Sequence, residues 1–170
     1  SVAGLQLQRS DSTAAINALE KACSFDIENV DYLCDLGGAF ISVRKFVEAE
    51  QALKSALAIM PTSIGAQYNL SNALYSQGRL AEANAGLNKL IKQQPEFAEA
   101  HHNLGVTLRA EGKIQLAVVS LEKARALQPE NITVLLELGR CYRELGSPER
   151  AIHFYAIYVG CNRDIDAVIE

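Results

Sequence analysis

The sequence predicts an all-α fold, a right-handed superhelical solenoid built from antiparallel helix pairs. The first observation behind this prediction is a residue pattern that returns every 34 positions, four times in register. The four segments begin at Val30, Ile64, Ala98 and Ile132. The second observation is that apolar residues recur within each segment at the spacing of helices rather than strands. A fixed period of this length is typical of proteins that stack one helical unit on the next.

Each segment is predicted to form a helix, a tight turn and a second helix. The turn contains Gly78, Gly112 and Gly146 in the last three segments, where a helix has to end in a left-handed conformation. The first segment has Arg44 at this position. We expect Arg44 to adopt the same conformation at a cost of about 1 kcal/mol, because its Cβ crowds the backbone there.

Small residues are expected where the two helices of a pair come closest. The eighth position holds Gly37, Ser71, Gly105 and Gly139, and the twentieth holds Ala49, Ala83, Ala117 and Ala151. Without large side chains at these positions, the flanking side chains can interlock as ridges into grooves.

The ends of the helices are predicted from proline and capping residues. Pro61, Pro95 and Pro129 follow the second helix in the first three segments, and proline does not continue a helix. Ser63 and Asn131 are candidate N-caps for the next helix. In the fourth segment, Ser147 and Pro148 are expected to be the N-cap and first residue of the second helix.

Composition and charge exclude several classes of function. The chain has 170 residues, 49% of them hydrophobic and 21% charged, with a net charge of −4. This balance is ordinary for a globular domain, and it lacks the clustered basic surface needed to bind nucleic acid. No apolar run approaches the roughly 20 residues that span a bilayer, so no membrane insertion is expected.

The four cysteines are Cys23, Cys34, Cys141 and Cys161, and they form no CxxC or CxH pair. They fall at different places in the repeat, so we interpret them as small buried apolar side chains and expect no metal site. Reduced thiols favour a cytoplasmic location.

These residues resemble the signature of the tetratricopeptide repeat (TPR) family, W-x2-L-G-x2-Y, then A-x3-F, then A and P. The third segment reads His101-x2-Leu104-Gly105-x2-Leu108, then Ala117-x3-Leu121, then Ala124 and Pro129. The tryptophan position departs from the family pattern in every segment, with Leu33, Gln67, His101 and Leu135. The resemblance is specific because it recurs four times.

The repeat frame divides the chain into one TPR domain with a partial repeat at 1–29 and full repeats at 30–63, 64–97, 98–131 and 132–165. Residues 166–170 are expected to begin a further helix. Neither end shows the polar capping helix that a finished solenoid requires, which favours an excerpt from a longer array. The alternative is a short protein whose last helix, 147–162, serves as the cap.

In the TPR family, the resemblance implies that the first helices of the repeats line a concave groove that binds peptides. The groove positions are then the second, fifth, sixth, ninth, twelfth and thirteenth of each repeat. The candidate protein-binding residues at these positions are Tyr68, Asn69, Asn72, Tyr75, His102, Asn103, Arg109, Arg140 and Arg143.

Asn69 and Asn103 share the sixth position of their repeats. A side-chain amide offers both a donor and an acceptor, so a row of them is able to hold a peptide backbone. This resembles the asparagine ladder in the TPR region of O-linked N-acetylglucosamine transferase. The alternative is that each asparagine forms a hydrogen bond to the neighbouring helix. Tyr68 and Tyr75 lie on the same face and are either anchors for a bound chain or partly buried against the next repeat.

Three arginines, Arg109, Arg140 and Arg143, are expected near the C-terminal end of the groove. They suit a carboxylate ligand, but nearby glutamates favour self-neutralisation, with Arg140 and Glu144 at helical i,i+4 spacing. The fifth position is never lysine, which disfavours the clamp by which chaperone-binding TPR domains grip a terminal carboxylate.

The sequence favours a non-catalytic scaffold or adaptor that holds an extended segment or a helix of another protein. His101 and His102 are adjacent and point about 100° apart on a helix, so they do not share one metal easily, and His101 is expected to be buried. No phosphate loop or nucleophile elbow is present, so no enzyme activity and no cofactor is predicted. Two alternatives remain: a substrate-selecting arm of a glycosyltransferase or sulfotransferase, and self-association through uncapped ends.

Overall fold

The computed structural model describes residues 13–160 in full, and for residues 2–12 and 161–169 it gives only the helix to which they belong. Within this part of the chain there are nine α-helices and no strand, so the predicted all-α class is confirmed. The helices are α1 (Val2–Phe25), α2 (Val30–Ser42), α3 (Phe46–Ile59), α4 (Ile64–Ser76), α5 (Leu80–Gln93), α6 (Ala98–Ala110), α7 (Ile114–Leu127), α8 (Thr133–Glu144) and α9 (Pro148–Ile169).

The helices follow the repeat frame closely. The first helices α2, α4 and α6 begin at Val30, Ile64 and Ala98, the first residues of their segments, and α8 begins one residue after Ile132. The interpretation placed on the side chain of Cys161 lies outside the described residues, as does that placed on the side chains of residues 1–12. Residues 166–169 belong to α9, so the further helix expected to begin at 166 is not seen there.

The chain forms two compact units, Ser1–Gly86 and Leu87–Glu170, and α5 runs across the boundary between them. In the first unit, Leu36, Phe40 and Leu53 are buried between α2 and α3, together with alanines of the same helices. In the second unit, Leu121 and Leu138 are fully buried. Each unit therefore has its own apolar core between paired helices.

The turns within the helix pairs have the predicted left-handed backbone. Gly78, Gly112 and Gly146 have φ values of 76°, 77° and 69°. Arg44 has φ 64° and is the non-glycine residue with positive φ in the described chain. The prediction that Arg44 adopts this strained conformation is confirmed.

The small residues lie where the helices of a pair are in contact, as predicted. A Cβ added to Gly105 would lie 2.5 Å from Cγ of Leu121 and 3.1 Å from the carbonyl oxygen of Ala117. In the second pair the eighth position is Ser71, and the space is provided by Gly86 on the facing helix instead. A Cβ on Gly86 would lie 2.6 Å from Oγ of Ser71. The two helices of this pair therefore also pack closely, because the glycine lies on α5 instead of α4.

Ser63 is an N-cap as predicted, Pro148 begins its helix as predicted, and the prediction for Asn131 is wrong. Ser63 accepts a hydrogen bond from the backbone N–H of Ala66 at 3.3 Å, and Pro148 is the first residue of α9. Asn131 is not the N-cap of α8, because that position is taken by Ile132. Its side chain instead accepts from the backbone N–H of Thr133 at 3.2 Å, since the helix begins one residue later than the frame predicts.

Candidate functional site

The predicted binding surface is formed by the first helices of the repeats. In the first unit these are α2 and α4. We call the surface that carries Asp31 and Asp35 of α2 and Tyr68, Asn69, Asn72 and Tyr75 of α4 the α2–α4 face. The two helices are neighbours there, because Nδ2 of Asn69 lies 3.8 Å from the point that a Cβ on Gly38 would occupy. In the second unit, α6 and α8 are joined by side-chain bonds from Arg109, and their outer side is the α6–α8 face.

The α2–α4 face carries the tyrosines and asparagines of α4. Tyr68, Asn69 and Asn72 are half-buried, and Tyr75 is 36% exposed. Tyr68, Asn72 and Tyr75 are spaced three to four residues apart and lie along one side of the helix, and Asn69 lies about 100° around the helix from Tyr68. Gly38 on α2 lies beside Asn69, and a Cβ added to it would be in ordinary van der Waals contact with Nδ2 of that amide.

The other side of this face is acidic. Asp31 and Asp35 on α2 are exposed, and no ion pair to either is found among the described residues. Cys34 lies between them, half-buried, with its sulfur 3.8 Å from Oγ of Ser63. Burial raises the pKa of the Cys34 thiol, so it is not the thiolate that a catalytic cysteine requires.

The α6–α8 face is built around the buried carboxylate of Glu137. Arg109 donates from Nε to Oε2 of Glu137 at 3.2 Å and from Nη1 to Oε1 of Glu144 at 2.9 Å. Arg140 donates from Nη1 to Oε1 of Glu137 at 2.6 Å. The predicted self-neutralisation is confirmed for Arg109 and Arg140 but not for Arg143, and the expected i,i+4 pair of Arg140 with Glu144 is not formed. Glu144 is bound by Arg109 instead. Arg140 binds the carboxylate of Glu137, which lies three residues earlier on the same helix.

The remaining predicted residues of the second unit are placed differently. His102 is half-buried and Asn103 follows it on α6. Burial lowers the pKa of His102, while the negative charge of Glu137 opposes that change. Arg143 is exposed, and no ion pair to it is found within residues 13–160. It is therefore the arginine of the three with the most open side chain.

The position that holds tryptophan in the family signature has a bonding role in the two inner repeats. Nε2 of Gln67 donates to the carbonyl of Pro61 at 2.7 Å, and Nε2 of His101 lies 2.8 Å from the carbonyl of Pro95. His101 is half-buried rather than buried, because its ring reaches out to this turn. The equivalent positions in the first and last repeats are buried leucines, Leu33 and Leu135.

A second polar cluster, in the first unit, was not predicted from the sequence. The buried carboxylate of Glu50 on α3 accepts from Arg79 at 2.7 and 2.8 Å, from Lys54 at 2.7 Å and from Gln77 at 3.0 Å. These donors, Lys54 first, lower the pKa of Glu50 to about 2. Because Gln77 and Arg79 lie in the turn of the following helix pair, the cluster ties successive pairs together.

Clusters of metal ligands and membrane-spanning helices are both missing from the described part of the chain. Between residues 13 and 160, no group of three or more His, Cys, Asp or Glu side chains converges as metal ligands would. In the same range, none of the helices combines the length and apolarity of a membrane span.

Comparison with known proteins identifies the family. A tetratricopeptide repeat profile matches residues 40–104 and 108–167, more than half of the chain. The protein belongs to the tetratricopeptide repeat family. No curated protein sequence matches the chain significantly.

Solved structures agree with this assignment. The chain is similar to the crystal structure of MamA, with a TM-score of 0.81 and 22% identity over 98% of both chains. It also resembles a thermophilic TPR protein of Thermus thermophilus, with a TM-score of 0.78 and 22% identity over 98% of this chain and 92% of that one. For Pseudomonas aeruginosa pilF, the TM-score is 0.79 and the identity 24%, over 91% and 71% of the two chains. At these identities the similarity establishes the fold, an all-α helical repeat solenoid.

Proposed function

We propose that the protein is a non-catalytic interaction module that holds an extended peptide segment on the first-helix side of its repeats, with the α2–α4 face as the main contact. The observation that carries this proposal is the row of Tyr68, Asn72 and Tyr75 along one side of α4, with Asn69 next to it and facing Gly38 of α2. Tyrosine rings supply rigid, amphipathic contact area, and amides supply both a donor and an acceptor for a backbone.

The charges on this face favour a ligand with basic side chains. Asp31 and Asp35 are exposed on α2, without ion pairs in the described chain, so they are available to an incoming lysine or arginine. The tyrosine and asparagine stripe of α4 carries no charge of its own. A peptide whose backbone contacts the amides of α4 and whose basic side chain contacts Asp31 or Asp35 on α2 would interact with both helices.

The α6–α8 face contributes differently. Arg109 and Arg140 are held by Glu137 and Glu144, so binding a ligand carboxylate there would require breaking bonds that already exist. Asn103 and the exposed Arg143 are the contacts proposed for this face. We therefore expect acidic peptides to bind more weakly than neutral or basic ones.

The test is capture of binding partners from the source lysate with the native domain and with the double variant Asn69→Ala/Asn103→Ala. The matched control is Gln51→Ala/Gln115→Ala, which removes two exposed amides from second helices, one in each unit. We expect proteins that the native domain and the control capture, and that the double variant loses. Identical sets from all three would place binding elsewhere and refute the proposal.

A direct affinity measurement then separates backbone binding from charge recognition. For a captured peptide, Asn69→Ala should weaken binding about tenfold or more, as expected for a contact worth at least 1.4 kcal/mol. Asp35→Asn should weaken only peptides that carry a basic residue, and the loss should shrink at high salt. Equal losses for neutral and basic peptides would exclude the role assigned to α2.

A further inference from the structure

A second surface lies at the edge of the first unit where one helix pair is joined to the next. Two loops lie at this edge, one between α1 and α2 and one between α3 and α4. Sγ of Cys34 is 3.8 Å from Oγ of Ser63, so both loops adjoin the N-terminal end of α2. We call this surface the inter-pair edge, and its residues are Phe25, Asp26, Ile27, Glu28, Ile59 and Met60.

The inter-pair edge exposes large apolar side chains. Phe25 is 92% exposed, Ile27 75%, Met60 48% and Ile59 43%. The loop that holds Ile59 and Met60 has described helices on either side, and the prolines that take the place of Ile27 in the three later loops are exposed as well. These positions are therefore open to solvent throughout the repeat, and the first unit places apolar residues there. An exposed apolar surface of this kind marks a site of contact with another molecule.

Ile27 supports this conclusion independently, because its turn does not require it. The backbone N–H of Asn29 donates to the carbonyl of Asp26 at 3.3 Å, in a turn whose second residue is Ile27. The turns at the same place in the later loops have the same hydrogen bond, and their second residues are Pro61, Pro95 and Pro129. Proline is favoured at this position, since its ring fixes the backbone angle that the turn needs. The first loop therefore has an exposed isoleucine where the fold is better served by proline.

The charges of the edge indicate which partner fits it. Residues 22–43 contain four carboxylates and no lysine, arginine or histidine, and residues 59–78 contain no charged side chain. Asp26 and Glu28 are exposed, and neither has an ion pair with any described residue. Negative charge repels nucleic acid, an anionic membrane and a second copy of the same edge, whereas it attracts lysine and arginine.

We propose that the inter-pair edge of the first unit binds a basic amphipathic segment of another protein. The apolar side chains of the segment cover Ile27 and Met60, and its lysines or arginines lie beside Asp26 and Glu28. Methionine suits such a contact, because its flexible side chain adapts to the shape of a partner. The edge shares no residue with the α2–α4 face, so this contact is additional to the peptide binding proposed above. The surface is small, and we expect a dissociation constant on the order of 10–100 µM.

The first experiment uses Met60 as its reporter. Met60 is the one methionine of the sequence, so ¹³C labelling of methionine methyl groups gives a single NMR signal from the proposed surface. The probe is a synthetic amphipathic peptide of leucine and lysine, which should shift this signal saturably. A counterpart of leucine and glutamate should leave the signal unchanged, as should vesicles of phosphatidylcholine and phosphatidylserine.

Three outcomes of this titration would overturn the proposal. The first is a Met60 signal that the basic peptide does not shift. The second is an equal shift by the acidic peptide or by the vesicles, which would remove the role of the carboxylates. The third is a signal that changes when the protein alone is diluted, because a second copy would then occupy the edge.

Substitutions taken from a later loop separate the surface from the fold. Ile27→Pro and Met60→Gln introduce the residues that the α5–α6 loop has at these places, Pro95 and Gln94. With a fluorescent basic peptide, anisotropy should show about tenfold weaker binding or more for the double variant. Its thermal midpoint should equal or exceed that of the native protein, since proline fits the turn. A double variant that binds like the native protein would overturn the proposal.

The role of charge is tested with a matched pair of carboxylates. Glu28→Gln should weaken binding of the basic peptide about threefold at low salt, and the difference should disappear at high salt. The control is Glu96→Gln, since Glu96 takes the place of Glu28 in the α5–α6 loop and is likewise exposed. This control should bind like the native protein, and an equal loss for both variants would contradict a site at the first-unit edge.

The edge and the α2–α4 face are distinguished by the variant Asn69→Ala/Asn103→Ala. It should bind the leucine–lysine peptide like the native protein, because neither asparagine belongs to the edge. Loss of binding in this variant, with none in Ile27→Pro/Met60→Gln, would place the peptide on the α2–α4 face. That result would overturn the edge as a binding surface and leave the proposed function standing.

Discussion

Gly105 allows α6 and α7 to pack closely, and its replacement by alanine should be destabilising even though alanine is the better helix former. A Cβ at this position would lie 2.5 Å from Cγ of Leu121, against the 3.5–4.0 Å of an ordinary carbon contact. Overpacking of this kind costs about 1–3 kcal/mol, and the gain in helix propensity returns at most about 1 kcal/mol. We expect a net loss of about 1–2 kcal/mol in the free energy of unfolding.

Urea unfolding followed by circular dichroism measures this loss. With a slope of about 2 kcal/mol per molar urea, the midpoint should fall by roughly 0.5–1 M. The control is Gly65→Ala, since a Cβ on Gly65 meets nothing within 4 Å and alanine there should be neutral or stabilising. A midpoint for Gly105→Ala at or above that of the native protein would refute the packing argument.

A double-mutant cycle with Leu121 identifies the contact responsible. In a Leu121→Ala background the crowding atoms are gone, so adding Gly105→Ala should cost less than about 0.5 kcal/mol, within the additivity error of such cycles. The carbonyl of Ala117, 3.1 Å from the added Cβ, accounts for any remainder. An unchanged cost in this background would mean that Leu121 is not the cause.

Three further predictions follow from individual residues. Arg44→Gly relieves a positive φ of 64° and should raise the free energy of unfolding by about 1 kcal/mol, seen as a higher thermal midpoint; a lower midpoint would show that the side chain stabilises the turn. Because the pKa of Glu50 is lowered from 4.5 to about 2, the stability it contributes is complete above pH 4.5 and is lost as the pH falls towards 2. The thermal midpoint of the native protein should therefore fall more steeply in this window than that of Glu50→Gln, and parallel curves would contradict the role of the carboxylate. Burial raises the pKa of Cys141 to about 11, so a thiol reagent at pH 8 should modify it, by mass spectrometry, only when the protein unfolds, and rapid modification of the folded protein would exclude its burial.

Much of the fold was predictable because its signals are local and repeated. The left-handed turn at Gly112 follows from the conformational freedom of glycine, and its recurrence at one position identifies the exception, Arg44, as well. Gly105 and Ala117 indicate close helix contact from size alone, and the structure places both at that contact. The same local reasoning failed at Asn131, where the start of α8 is shifted by one residue.

The candidate site was predictable in position but not in its bonds. The repeat frame assigned Arg109 and Arg140 to the same surface and indicated that glutamates neutralise them. It did not show that Glu137 is buried and shared by both, because the choice among acceptors depends on rotamers and on distances across a helix pair. Nor did any sequence signal link Glu50 with Arg79, which are separated by 29 residues and meet only through packing.

By itself the sequence determined the helical repeat, the paired helices, the hand of their turns and the surface on which partners are expected, because each of these depends on residue type at a fixed period. Only the tertiary structure decided which side chains are already engaged and which remain open. It showed that Arg109 is bound by two glutamates and that Gly86, rather than Ser71, provides the space for close packing in the second pair. The physical reason is that availability for binding depends on rotamers and on distances between residues far apart in the chain, which a periodic pattern of residue types does not fix.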